Sequence, residues 1–197
     1  MWEQGWRMSI NPTHFENIPA YADSAGSHGK ERLVNAVIES PRDTRHKYAY
    51  VPKLGIFRLK MVLAEGLEWP YDYGFVPQTL ADDGDPLDIL VMNAIPTFAG
   101  CLVECRILGL VRLAKDGTRN DRVIAAPLFC PGSPQPTDPF DDVDDIPKDT
   151  IESIKRFLSE YSEEEGHHIE IRGVKSKKRA FEAIDEAIEA YKNSKKG

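Results

Sequence analysis

The stretch Asp83-Gly84-Asp85-Pro86-Leu87-Asp88-Ile89-Leu90-Val91-Met92 sets three carboxylates directly before a run of buried-strand residues. Gly84 permits backbone angles closed to other residues and Pro86 fixes its own, so the first half reads as a turn. Ile89 to Met92 is a short apolar run, the pattern of a buried strand leaving that turn. Asp88 then opens that strand. Asp83 and Asp85, two apart in an extended turn, can point the same way as a third carboxylate held at the strand mouth. Such a set of oxygen ligands suits a hard cation, with magnesium the natural guest. A solvated Asp/Gly turn has the same composition, and that reading stays open at this point. An EF-hand does not fit, because it needs Gly at the sixth position and Glu at the twelfth, where Asp88 and Ala94 stand.

Outward from this stretch the chain is a succession of short strands. Leu33 to Glu39 has a strand pattern that stops at Ser40-Pro41, where proline ends ladder pairing. His46 to Val51 and Ile56 to Leu63 are joined by Pro52-Lys53-Leu54-Gly55, a hairpin connection. Alternation puts Lys47 with Ala49 and Val51 on a largely apolar face, from which a lone lysine commonly reaches out to solvent. Cys101 to Leu108 and Leu110 to Ala114 read as two strands broken at Gly109, and Arg122 to Ala126 as another buried strand. Between them, Asp116-Gly117 has the chemistry of a hairpin turn. Such a set of strands removes its edges most simply by closing into a barrel. Helix patterns come only afterwards. Ile151, Ile154, Phe157, Leu158 and Tyr161 mark one apolar face, with Asp149 near the helix start, and Phe181, Ile184, Ile188 and Tyr191 mark a last helix beyond a short strand at 168–172.

The 197 residues are enough for one sizeable domain. Residues 1–31 mix Gly, Pro, Ser and His without a period and read as an N-terminal arm or a poorly ordered extension; as an arm, Trp2, Trp6 and Phe15 offer contacts for a neighbouring subunit. Residues 32–197 read as a single domain. A net charge of −7 disfavours nucleic acid, whose binders need a basic footprint. No apolar run approaches the ~20 residues of a membrane span, and no export segment is evident, so the expected compartment is the cytoplasm. Cys101, Cys105 and Cys130 are odd in number and lie in or beside apolar strands, which suits reduced thiols better than disulfides. His167-His168 are too isolated to build a zinc site.

The motif and its surroundings resemble the soluble family I inorganic pyrophosphatases. Asp83-Gly84-Asp85-Pro86-Leu87-Asp88-Ile89 is similar to that family's signature, and Pro70-Tyr71-Asp72-Tyr73-Gly74-Phe75-Val76-Pro77-Gln78-Thr79-Leu80 to its aromatic approach. Val37 to Pro41 and His46-Lys47-Tyr48 resemble its first strands, and the order holds over residues 34–165. The resemblance implies an α+β, mainly β fold: a closed, OB-like five-stranded barrel with flanking C-terminal helices. It implies Mg2+-dependent hydrolysis of inorganic diphosphate by metal-activated water, in a homo-oligomer. By resemblance, Asp83, Asp85 and Asp88 are metal ligands, with Asp85 the acceptor of the water's proton. Glu39, Lys47, Tyr73 and Tyr161 match positions that bind or organise the site, and Arg122 stands where the family has a lysine. Lys47, Tyr73 and Arg122 join Asp85 as the expected catalytic set.

The chain also departs from the pattern. Ala49 replaces a carboxylate, Met61 an arginine, Trp69 a tyrosine and Ser162 a lysine. Without a gap, Lys115 and Asn120 replace two loop aspartates. A one-residue shift brings Asp116 and Asp121 there as metal ligands instead. Arg45, Lys53, Arg58, Lys60, Arg119 and Lys177 are candidates to make good the lost cations. Two further readings remain open: the same metal site acting on a nucleotide or other organic phosphate, and a barrel kept as a non-catalytic binding module.

Overall fold

The short apolar runs form a ring of strands in the computed structural model, which describes residues 15–22, 32–128 and 140–196. The strands are β1 Val34–Ser40, β2 His46–Val51, β3 Ile56–Val62, β4 Asp72–Phe75, β5 Asp88–Val91, β6 Leu102–Lys115, β7 Thr118–Arg119, β8 Arg122–Pro127 and β9 Ile169–Ser176. Helix α1 spans Lys148–Glu164 and α2 spans Lys177–Ser194. β1 pairs antiparallel with β4, β4 with β5, β8 with β6, and β6 again with β1, while β5 and β8 run parallel. These five strands therefore close on one another, as the expected five-stranded barrel requires, and leave no open edge between them. β9 adds to β6, and β2–β3 form a separate hairpin.

Strand alternation divides the core in two. Ile89 and Val91 of β5 face a cluster closed by Ala180, Ala183 and Ile184 of α2. Leu90 and Met92 face the opposite cluster, closed by Ile154, Phe157, Leu158 and Tyr161 of α1. The continuous apolar run Ile89 to Met92 is thus explained by burial on both faces.

Two expectations are corrected here. The segment read as two strands broken at Gly109 is one strand, β6, with a register shift between Ile107 and Gly109. Cys105 and Ile107 lie in the first cluster, and so does Leu110, an odd step away. An extra residue reverses strand parity, so odd-numbered Cys105 and Ile107 face the first cluster while odd-numbered Val111 and Leu113 face the second. A Cβ on Gly109 would sit 2.7 Å from the Lys175 carbonyl and from Val143, which explains the glycine. The second correction concerns Phe15, which packs within its own chain. Its ring lies edge-on to Tyr50 at 4.9 Å, and the backbone follows it inward, with Asn35 N–H donating to the Ala20 carbonyl at 2.9 Å. Trp2, Trp6 and Cys130 lie outside the described residues. Cys101 and Cys105 are free thiols. Among the described residues no helix is long and apolar enough to cross a membrane.

Candidate active site

The end of β1, the β2–β3 hairpin, the turn before β5, the β6–β7 hairpin and the end of α1 converge on one cavity of about 250 Å³. Strand register assembles its floor. Asp88 and Arg122 are the first residues of β5 and β8 and lie side by side in the parallel ladder, with the Arg122 guanidinium 2.6 Å from the Asp88 carboxylate. Tyr73, on neighbouring β4, reaches the same carboxylate through its hydroxyl. Asp83 and Asp85 enter from the turn, where Gly84 takes a φ of +91°. Glu39, next to last in β1, accepts the Tyr50 N–H at 2.7 Å. All three signature aspartates, together with Glu39, Lys47, Tyr73, Tyr161 and Arg122, are brought to this cavity.

Asp116 and Asp121 are not. The turn between β6 and β7 has only two residues, Asp116 and Gly117, with φ of +51° and +85°. Positive φ at both central positions is the type I′ hairpin turn, which pairs Lys115 directly with Thr118. That register has no slack for a one-residue shift. Leu113 and Lys115 therefore face the cavity from β6, and Asn120 and Arg122 face it from the other arm. Asp116 sits at the turn tip, where it binds His167 Nδ1 at 2.7 Å and the His168 N–H at 3.0 Å. Asp121 points the other way and accepts the Leu113 N–H at 3.1 Å and Arg119 Nε at 2.7 Å. The reading of these two aspartates as metal ligands is corrected accordingly: Lys115 and Asn120 occupy the wall instead. Asn120 Nδ2 donates to the Asp83 carboxylate.

On the opposite wall, Lys47 Nζ donates to the Tyr161 hydroxyl and to the carboxylate of Glu165, and Lys60 Nζ lies 3.9 Å from that carboxylate. Glu165 was missed in the sequence. Its signal was its position one helical turn beyond Tyr161, which puts both on the same face. Among the candidates for lost cations, only Lys60 lines the cavity. Arg45 bonds the Leu63 carbonyl and Arg119 is committed to Asp121 and Glu186. Trp69 is buried behind the wall against Tyr73 and Tyr161, with its indole N–H donating to the His46 carbonyl. Met61 lies across the ladder from Lys47 and packs on that same aromatic cluster.

Electrostatics follow from burial. Burial pushes the Glu39 carboxyl up to about 7, with the charges of Asp88 and Asp85 adding to the rise against the Tyr50 hydrogen bond. Burial raises the Tyr73 and Tyr161 phenols far above their ordinary range, so both stay protonated donors. Burial acts upward on Glu165 too, but the Lys47 and Tyr161 hydrogen bonds outweigh it and hold the carboxyl below its usual value. Burial pushes the Lys47 ammonium down against the pull of Glu165, and the charges of Lys60 and Lys115 add to the downward shift.

Among the described residues no three acidic, histidine or cysteine side chains form a ready-made metal cluster. The donors present nonetheless suit a hard divalent cation. They are carboxylate oxygens, and among the described residues the Asp85 carboxylate takes no side-chain bond to any cation. Asn120 Oδ1 is a buried acceptor without a partner, and its residue lines the same cavity. An amide oxygen is itself a ligand for such ions.

Carboxylates set against lysines and an arginine at the mouth of a strand ring define a site for a phosphate anion with an accompanying cation. The inorganic pyrophosphatase family model matches residues 36–192, which carries the likeness beyond residue 165 through β9 and most of α2. An inorganic pyrophosphatase from Haloferax volcanii is 37% identical over 162 residues, covering 82% of this chain and 89% of the relative. One from Halalkalibacterium halodurans is 34% identical over 164 residues, covering 82% and 96%. The crystal structure of the Thermus thermophilus inorganic pyrophosphatase aligns with a TM-score of 0.77 at 33% identity, over 91% of this chain and 99% of that one. The chain belongs to the inorganic pyrophosphatase family.

Proposed function

We propose that this chain hydrolyses inorganic diphosphate to two phosphates with the help of a divalent cation, for which magnesium best matches the hard oxygen donors. The observation that carries this reading is the single cavity in which Asp85, free of any cation among the described residues, faces Lys47, Lys60, Lys115 and Arg122. A bound divalent ion supplies charge neutralisation and lowers the pKa of water beside the phosphate. Asp83 and Asp88 are the expected ligands with Asp85, and Asn120 adds an amide oxygen.

The protein's own groups do the rest. Water adds to one phosphorus, its proton passes to Asp85 Oδ, and the bridging P–O bond breaks with its electron pair leaving on the second phosphate. Lys47, Lys60 and Arg122 hold the non-bridging oxygens by charge-assisted hydrogen bonds, and Tyr73 and Tyr161 orient Asp88 and Lys47. Lys47 must exchange its bond to Glu165 for one to substrate. The family's usual setting also supports a cytoplasmic homo-oligomer.

The test is phosphate release from inorganic diphosphate by the purified chain, with and without magnesium. Release that requires magnesium and falls at least about a hundredfold in Asp85→Asn is the expected outcome, in line with the contribution of a positioned proton acceptor. Release from nucleoside triphosphates alone, or none at all from a folded protein, sinks the proposal.

A further inference from the structure

The β6–β7 hairpin puts an ammonium group and an amide on the wall that faces three aspartates. Its two-residue turn fixes Lys115 opposite Thr118 and sends Asp116 and Asp121 elsewhere. Two of the three aspartates already have protein donors, since Asn120 bonds Asp83 and Arg122 pairs with Asp88. Lys115 stands near enough to Lys47 for their charges to repel, and its charge also acts on the exposed Asp116 carboxylate at the turn tip, with no salt bridge to it among the described residues. An ammonium crowded by other cations is stabilised when an anion enters between them. A lysine in place of a carboxylate changes the local charge by two, the charge of one divalent ion.

We propose that Lys115 takes the place of a divalent cation: the site loads one ion fewer than the same cavity with carboxylates at 115 and 120, and the Lys115 ammonium binds diphosphate oxygens directly. Asn120 completes the exchange: its N–H satisfies Asp83, and its amide oxygen, neutral where a carboxylate would be charged, brings no negative charge to draw a further ion. This rests on the reading of the cavity as a diphosphate site, but ion binding is counted without turnover. A chain that binds as stated and releases no phosphate refutes the hydrolase reading alone.

The experiment counts bound Mn2+ by equilibrium dialysis of the full chain at saturating methylenediphosphonate, which cannot be hydrolysed. Lys115→Asp/Asn120→Asp is expected to bind one more Mn2+ per chain than the unaltered protein, with an unchanged circular dichroism spectrum. Equal counts in the two folded proteins overturn the proposal. Should the double variant not fold, Lys115→Met decides. It is expected to bind methylenediphosphonate at least tenfold more weakly at fixed Mn2+ while its Mn2+ affinity without the diphosphonate does not fall. Unchanged diphosphonate affinity overturns the proposal in that arm.

Discussion

Two loops line the same cavity and treat their aspartates in opposite ways. The turn Asp83–Asp88 delivers all three of its carboxylates to the cavity, while the hairpin Lys115–Arg122 turns both of its carboxylates away and presents a lysine, an asparagine and an arginine. The first has three aspartates in six residues and the second two in eight. They differ too in how each is tied to its strands. The first is a longer excursion between β4 and β5, pivoting on Gly84 and ending where Asp88 joins the parallel ladder to Arg122. The second is clamped by a two-residue turn, so alternation along β6 dictates the side on which every residue lies. A short hairpin places side chains by parity, and the identity of the residue then has to suit the side it is given.

The sharpest way to break this contrast is at Asp121. Its carboxylate is 3% exposed and serves the Leu113 N–H and Arg119, so it is a structural acceptor. Asp121→Ala is expected to lower stability by about 2 kcal/mol in urea unfolding, through the buried Leu113 N–H left without an acceptor and the loss of one of the two carboxylates that hold Arg119. Asp83→Asn, in the other loop, should leave stability nearly unchanged and weaken Mn2+ binding instead. If the two variants trade effects, the assignment of the loops is reversed.

Glu39 sharpens the picture from the carboxylate side. Its carboxyl is raised from an ordinary 4.5 to about 7, so the folded state holds this proton more tightly than the unfolded chain does. Its stabilising contribution is therefore lost as pH rises from about 4.5 through about 7. With a chelator present, unfolding curves across this window should show the wild type losing about 2 kcal/mol relative to Glu39→Gln, allowing for partial solvent screening. A parallel pair of curves would remove burial as the cause.

Smaller effects separate turn geometry from chemistry. Gly117 has φ of +85° and open space around its Cβ direction, so Gly117→Ala should cost only the backbone penalty, about 1 kcal/mol by denaturant titration. Asp116→Ala, at the exposed tip, should leave phosphate release and Mn2+ binding as they are. A loss of Mn2+ affinity there would restore Asp116 as a ligand and break the comparison at its root.

Local pattern alone determined much of this protein. The alternation of short apolar runs and turn residues placed nearly every strand. The run Ile89 to Met92 announced a buried strand, and the triplet Asp83, Asp85 and Asp88 marked the cavity, because a turn of Gly and Pro beside a buried strand is encoded within ten residues. Tertiary structure decided what depends on register between distant segments. The bulge in β6 shows only in its register against β8, and the pairing of Asp88 with Arg122 exists only once β5 and β8 lie in parallel. The choice of Lys115 and Asn120 over Asp116 and Asp121 is of the same kind. Their spacing allowed either pair, and the closed ring with its two-residue hairpin gave the cavity side to one of them.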